Sequence, residues 1–366
     1  MTALRAAPAV AAEPAVDPPR RSRTRVVVLF VVLAVALLGC AVLAAGSGQL
    51  SIPAEEVVSS VLHRLGLGGA QVASHANGEA ALWTIRFPRV AMALLVGAAL
   101  ATAGALMQGV FGNPLAEPGV AGVSSGAALA ACAAIALGWT FLGPWTTSAV
   151  AFAGGLAATL VVYLLSRSGG RTEVVTLILT GVAINAIAGA GIAFLTFVGD
   201  TQAREQIVFW QLGSLNGTRW PYVALVAPLV VVGIVLACTF ARRLDLLALG
   251  ERPARHLGVD VERLRVAVIV VVALLTAGAV AFSGIIAFVG LVVPHLARIL
   301  VGALHRNVLP VAAVGGALFM LWVDVAARVI VRPQEIPLSV VTGLVGAPIF
   351  LFLLGRRHYS YSGGGE

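Results

Sequence analysis

Hydrophobic and polar positions in this chain alternate in long blocks rather than residue by residue. No Asp, Glu, Lys or Arg occurs from Tyr222 to Ala241, or from Val266 to Ala297. About 20 apolar residues suffice to cross a hydrocarbon core of about 30 Å, so blocks of this length predict membrane-spanning helices. The first span is Val26 to Ala45, and the second is Val90 to about Val110. Val120 to Ser166 is uncharged over 47 residues, too long for one crossing. Gly138, Gly143 and Pro144, flanked by Trp139 and Trp145, mark a turn that divides it into two spans. Val174 to Val198 and Tyr222 to Ala241 are the fifth and sixth spans, and Gly46 to about Leu82 and Gly199 to Trp220 read as polar loops between spans. The 32 residues from Val266 to Ala297 would form a single helix of roughly 48 Å, so they are divided at Ser283-Gly284. Val308 to Ala327 and Pro337 to Leu354 complete ten spans, and the fold class is an all-α polytopic membrane protein.

Composition agrees: 59% of residues are hydrophobic, 11% are charged, and the mean hydropathy is +0.98. The net charge of +8 comes from arginine alone, since the chain has no lysine. Its arginines sit beside the ends of apolar runs, which points to membrane topology and not to nucleic acid. With ten spans and both termini cytoplasmic, 17 arginines fall inside and seven outside; treating Val266 to Ala297 as one span gives 15 and nine. The domain reading is a disordered cytoplasmic tail over 1–25, a transmembrane domain over 26–357, and a cytoplasmic tail over 358–366. Cys40, Cys132 and Cys238 lie in apolar runs and read as small core residues. A lipoprotein cleavage site at Leu37-Leu38-Gly39-Cys40 is the alternative for the first of them.

Between two of the uncharged runs, Arg242 to Arg265 holds six arginines and four acids and must lie in water. Its pattern predicts two very short helices. Asp245 caps Leu246 to Leu249, which Gly250 ends; Glu251 with Pro253 opens the second, which Gly258 ends. Leu246, Leu247, Leu249 and Leu257 would then project from a polar scaffold, as in a piece that docks into another protein's groove. An ordinary arginine-rich cytoplasmic loop is the other reading. Arg86 and Arg89 fall on the outer side, where few arginines are expected, and Pro88 holds the chain extended between them. Either something outside needs positive charge there, or the two anchor at the interface. Asp324 is an acid within a span, four residues before Arg328, and the simplest reading is an ion pair on one helix face. Asn113-Pro114-Leu115 must turn because Pro114 cannot continue a helix. Asn185, a lone amide in the fifth span, reads as a packing hydrogen bond more readily than as a substrate contact. The histidines have no metal-ligand spacing, and no phosphate-cradling GxxxxGK[ST] occurs. No catalytic residue, metal site or cofactor is therefore assigned.

Leu247-Ala-Leu-Gly-Glu-Arg-Pro-Ala-Arg-His-Leu-Gly258 resembles the coupling segment of the iron-siderophore and vitamin B12 family of ABC importer permeases. Further matching stretches are Arg86-Phe-Pro-Arg89, Gly104 to Gln108, Asn113 to Gly119, Gly284 to His295 with Arg298, His305-Arg306, Asp324 with Arg328, and Gly343 to Pro348. Together they cover most of the chain from about Trp83 to Arg357. The resemblance implies a vitamin B12 importer-like fold of ten helices in the bacterial cytoplasmic membrane, surrounded by lipid. Its implied partners are two ATPase subunits, an extracytoplasmic substrate-binding protein, and a second permease copy or a related permease. It also implies that Leu247, Leu249, Gly250, Glu251, Arg252, Ala254, Arg255, Leu257 and Gly258 contact the ATPases, and that Arg86, Arg89 and Arg328 receive acidic residues of the binding protein. Asn113 and Leu115 would gate the inner mouth. The family's second inner constriction falls near Arg171 to Val175, where this chain has Glu173-Val-Val in place of small hydroxyl residues.

The resulting function is the permease subunit of an ATP-driven importer, with a ferric siderophore as its cargo and haem or cobalamin as alternatives. ATP hydrolysis would belong to the partner. An ion-coupled secondary transporter is the reading from another class; it needs an ionisable site within the membrane, for which Asp324 is the candidate.

Overall fold

A computed structural model of the chain describes residues 23–168 and 171–362, with side chains over 27–167 and 172–352. Residues 1–22 and 363–366, which hold most of the expected N-terminal tail and the last part of the C-terminal one, lie outside the described residues, while 23–25 and 358–362 are helical. In chain order the elements are α1 (Arg23–Gly46), α2 (Ala54–Arg64), α3 (Gly78–Ala80), a π-helical turn (Ala81–Arg86), α4 (Phe87–Val110), α5 (Val123–Ala136) and α6 (Thr146–Leu165). A two-strand hairpin, β1 (Arg167–Ser168) with β2 (Arg171–Thr172), leads to α7 (Val174–Val198), α8 (Thr201–Leu212), α9 (Trp220–Leu247) and α10 (Glu251–His256). The chain closes with α11 (Val261–Ser283), α12 (Val289–Val301), α13 (His305–Val329) and α14 (Leu338–Ser362).

The ten expected spans correspond to α1, α4, α5, α6, α7, α9, α11, α12, α13 and α14. Among the described residues, seven apolar helical stretches are long enough to cross a membrane unaided; α5, α12 and the apolar part of α14 are shorter. The division at Ser283-Gly284 holds: α11 ends at Ser283, and Gly284 adopts φ +68. The next residues run without helix to Phe288, whose φ of +66 is the only positive value on a described non-glycine residue. Ser214 N donates to Ser283 O (2.8 Å) and Ser339 Oγ to Ile285 O (2.6 Å), so neighbouring segments bond the carbonyls that a helix would have used.

Helices α4, α11 and α13 form the buried centre, while α1, α6, α7 and α9 turn apolar faces outwards. Small residues allow α4 to occupy that centre. A Cβ on Gly97 would lie 2.1 Å from Gly316 O, and one on Gly104 would lie 1.8 Å from Gly290 O. Backbones thus touch directly, as membrane helices do where side chains are absent.

Three expectations change. Pro88 does not hold the chain extended: it lies in helix, in the first turn of α4 directly after the π-helical turn. Helix continues upstream through the π turn, from Gly78 to Val110. The polar stretches 46–82 and 199–220 contain α2 and α8. Their signals are local: Glu55 and Glu56 open α2 and His63 and Arg64 close it, while Asp200 caps α8 by accepting from Ala203 N (2.7 Å). The first short helix expected in the charged segment does not form, since nothing interrupts α9 before Leu247, and Asp245 serves another purpose.

Candidate functional site

Interactions gather at the two ends of the bundle. At the upper end, the π-helical turn, α4 and α13 bring together Arg86, Arg89, Arg328 and Asp324 beside the end of α1. The three arginines are 7–8% exposed and Asp324 is fully buried. Arg89 Nε donates to Asp324 Oδ1 (2.8 Å), and its two terminal nitrogens hold Glu335 in a fork (2.8 and 3.0 Å). Arg328 Nη2 lies 2.8 Å from Asp324 Oδ2, so the expected ion pair on one face of α13 is present and is shared with α4. The remaining bonds of Arg328 go to Ser47 O (2.7 Å), Ala44 O (3.1 Å) and Asp324 O (3.3 Å). Arg86 donates to Ala45 O (2.7 Å), Gly46 O (2.9 Å) and Leu50 O. These are carbonyls at and just beyond the end of α1, which have no partner within the helix. Neither Arg86 nor Arg89 reaches out to an interface; both are internal. A separate cleft of about 420 Å³, to which none of these charged residues contributes, is lined in part by Gln206, Phe209, Trp210, Asn216, Phe282 and Ser283.

At the lower end lies the charged segment. Gly250, with φ +108, ends the turn after α9, and α10 follows over Glu251–His256. Leu249 and Leu257 are 64% and 59% exposed; Gly250 and Gly258 are exposed too, and Arg252 and Arg255 lie in solvent. Leu247 and Ala254 are buried instead, and attach the segment to the bundle. Of the apolar residues expected to project, Leu249 and Leu257 do, Leu246 is half-buried, and Leu247 does not. The reason is that α9 continues as helix and turns Leu247 towards the core.

Two polar links join this segment to the rest of the lower end. Glu251 Oε1 accepts from buried Arg265 (2.7 Å), which also donates to Thr172 O (2.9 Å). Glu262 accepts from Thr172 N (3.1 Å) and its hydroxyl (2.5 Å). Helix α10 is thereby tied to the hairpin that starts α7, the stretch Arg171 to Val175 where a second constriction is expected. Asp245 Oδ1 accepts from both His305 N (2.6 Å) and the ring Nδ1 (2.9 Å), and the ring lies where a Cβ on Gly109 would be, 2.6 Å from Nε2. Gly109 precedes the turn at Asn113, whose side chain accepts from Leu115 N (2.9 Å). Leu115 is 44% exposed. Glu117, in the same loop, has its carboxyl pushed above the usual range by burial. Asn185 accepts from Ser125 Oγ (2.5 Å) and donates to Gly119 O (3.4 Å), the packing role expected of it.

Glu335 and the Arg265–Thr172 link were not visible in the sequence. Glu335 binds a residue 246 positions away and belongs to no periodic pattern, so no local signal marks it. Cys40 and Cys132 are buried as expected, but Cys238 is exposed on α9.

A ten-helix membrane bundle with a broken seventh-to-eighth crossing and a short polar helix projecting at one end defines a transport permease. The chain belongs to the FecCD transport family, whose profile matches residues 24–356. It is 42% identical to the hemin transport system permease protein HmuU of Yersinia pestis, over 77% of this chain and 85% of that protein. It is 43% identical to the cobalamin import system permease protein BtuC of Halobacterium salinarum, over 75% of this chain and 73% of that protein. The Fe(3+) dicitrate transport system permease protein FecD of Escherichia coli is 37% identical, over 90% and 99%. A solved inward-facing structure of a metal-chelate type ABC transporter superposes with a TM-score of 0.78 at 33% identity, covering 90% of this chain and 99% of that one. The chain is thus the permease subunit of an ABC importer, a multi-pass membrane protein that works with separate ATPase and substrate-binding partners. The ion-coupled alternative falls with this, and Asp324 is committed to two arginines.

Proposed function

We propose that this permease carries a ferric siderophore inward by alternating access, with the upper end outside and the lower end, like both termini, in the cytoplasm. Two copies, or one copy with a related permease, enclose the path, and two ATPase subunits sit beneath them. The single observation behind the orientation is the pair of exposed leucines, Leu249 and Leu257, on the short charged segment. Apolar side chains on a polar scaffold outside the membrane region need a protein groove to cover them. In this reading Leu249, Gly250, Glu251, Arg252, Arg255, Leu257 and Gly258 meet the ATPase, while buried Leu247 and Ala254 hold the segment in place. Nucleotide-driven movement of α10 reaches α7 through Glu251, Arg265 and Thr172, and Asn113 with Leu115 closes the lower mouth. Arg86, Arg89 and Arg328 supply the positive character of the docking face, where three guanidiniums stand against two carboxylates.

Haem or cobalamin is the second reading for the cargo, favoured by the relatives at 42% and 43% identity, above the 37% of the ferric dicitrate permease. Gentle purification from native membranes, with mass spectrometry of the accompanying proteins and small molecules, tests both. A ferric siderophore on a co-purifying binding protein supports the proposal. Haem or a corrinoid in its place moves the cargo to the second reading, and the absence of any ATPase would overturn the orientation argument.

A further inference from the structure

Arg89 differs from its two neighbours in what holds it. Arg86 and Arg328 bond mainly to carbonyls at the end of α1, and an incoming carboxylate could take either only by orphaning buried backbone groups. The fork of Arg89 is closed by Glu335, whose side chain is 38% exposed in the loop between α13 and α14. Val331, Arg332, Pro333 and Gln334 of that loop are also exposed. Immediately after Glu335 the loop is pinned: Ile336 N donates to Ala327 O (2.9 Å) and Leu338 N to Gly213 O (3.1 Å). Among the described residues, then, this cluster has one charge-assisted fork that a carboxylate from outside could enter by replacing another carboxylate.

We propose that Glu335 is a built-in substitute for an acidic side chain of the substrate-binding protein, occupying the Arg89 fork until docking displaces it. This rests on the reading of the upper end as the docking face. Exchange of one carboxylate for another conserves both charged hydrogen bonds, so a matching partner gains little net affinity. A partner without an acid at that point must leave Arg89 with Glu335 and bury its own surface against an occupied site. Such an arrangement favours specificity and fast release over tight binding. It also links docking to the fold, because the loop that Glu335 leaves leads directly into α14.

The test uses the permease–ATPase complex in lipid nanodiscs and the binding protein recovered with it from native membranes. Association is measured for wild type, Glu335→Gln, Arg89→Gln and the double variant. Glu335→Gln keeps an amide that can bond but removes the competing charge, and binding is expected to tighten roughly tenfold. In the Arg89→Gln background the same change should have little effect. Unchanged or weaker binding by Glu335→Gln, with Arg89→Gln still harmful, overturns the exchange and leaves the docking face standing. If Arg89→Gln binds as well as wild type, or no binding protein is recovered, the docking reading itself is lost. Should Glu335→Gln fold poorly, Glu335→Asp retains the charge but shortens the reach across the fork, and tighter binding is expected there as well.

Discussion

At the upper end of the bundle, Arg86, Arg89 and Arg328 are nearly inaccessible and spend their donors on two carboxylates and a row of helix-end carbonyls. In the charged segment at the lower end, Arg242, Arg243, Arg252, Arg255 and Arg263 lie in solvent, and Arg265 alone of its six arginines is buried. The upper arginines are therefore structural first, and any partner must negotiate with bonds already made. The lower segment is the reverse: its anchors are apolar, Leu247 and Ala254, and what it offers outwards is two uncovered leucines with loose charge around them. In the proposed reading, one end is a docking surface that resists wrong partners and the other a lever that an ATPase grips.

The sharpest way to break this contrast is to remove the shared acid. Asp324→Ala would leave Arg89 and Arg328 facing each other in a buried site, and a loss of about 3 kcal/mol is expected in the unfolding of the detergent-solubilised protein. A near-neutral result would mean that the cluster is wetter and looser than its burial indicates. At the lower end, Leu249→Asp with Leu257→Asp should leave stability within about 0.5 kcal/mol. The same pair should abolish ATPase co-purification, and a variant that kept its ATPase would remove the lever from the comparison. Glu251→Ala, which frees Arg265 from α10 but not from Thr172, should cost about 1 kcal/mol of stability. Its larger effect is expected as hydrolysis without transport, read as the ratio of ATP consumed to substrate moved. The smallest effect belongs to Glu117. Burial raises its pKa in the folded state, so its contribution to stability is full below the unfolded carboxylate pKa and is lost as pH rises through the raised folded value. Glu117→Gln should flatten that decline in a series of melting curves across weakly acidic to neutral pH, with little change at the acidic end.

Much of the bundle was legible because hydrocarbon imposes one rule on every span. Length, absence of charge, and turn residues such as Gly138, Gly143 and Gly284 were enough to divide the chain where the helices divide. Where water is the solvent on one side, the rule weakens. The α2 and α8 helices carry their caps and end charges in plain view, yet their polar surfaces read as loop. The first turn expected in the charged segment was lost for the same reason: Asp245 is a good cap by type, but its carboxylate had a better use against His305.

The candidate site divides along a similar line. Asp324 with Arg328 could be paired from a spacing of four, and the exposed pair Leu249 and Leu257 from the grammar of Gly250 and Gly258. By itself the sequence determined the number and course of the apolar helices, the place of the charged segment and the presence of costly charges near the apolar runs. Tertiary structure alone decided who shares those charges. Arg89 reaches Asp324 and Glu335, and Arg265 reaches Thr172, across separations of 93 to 246 residues. A buried ion must find its partner wherever packing brings one, and no local pattern encodes that meeting.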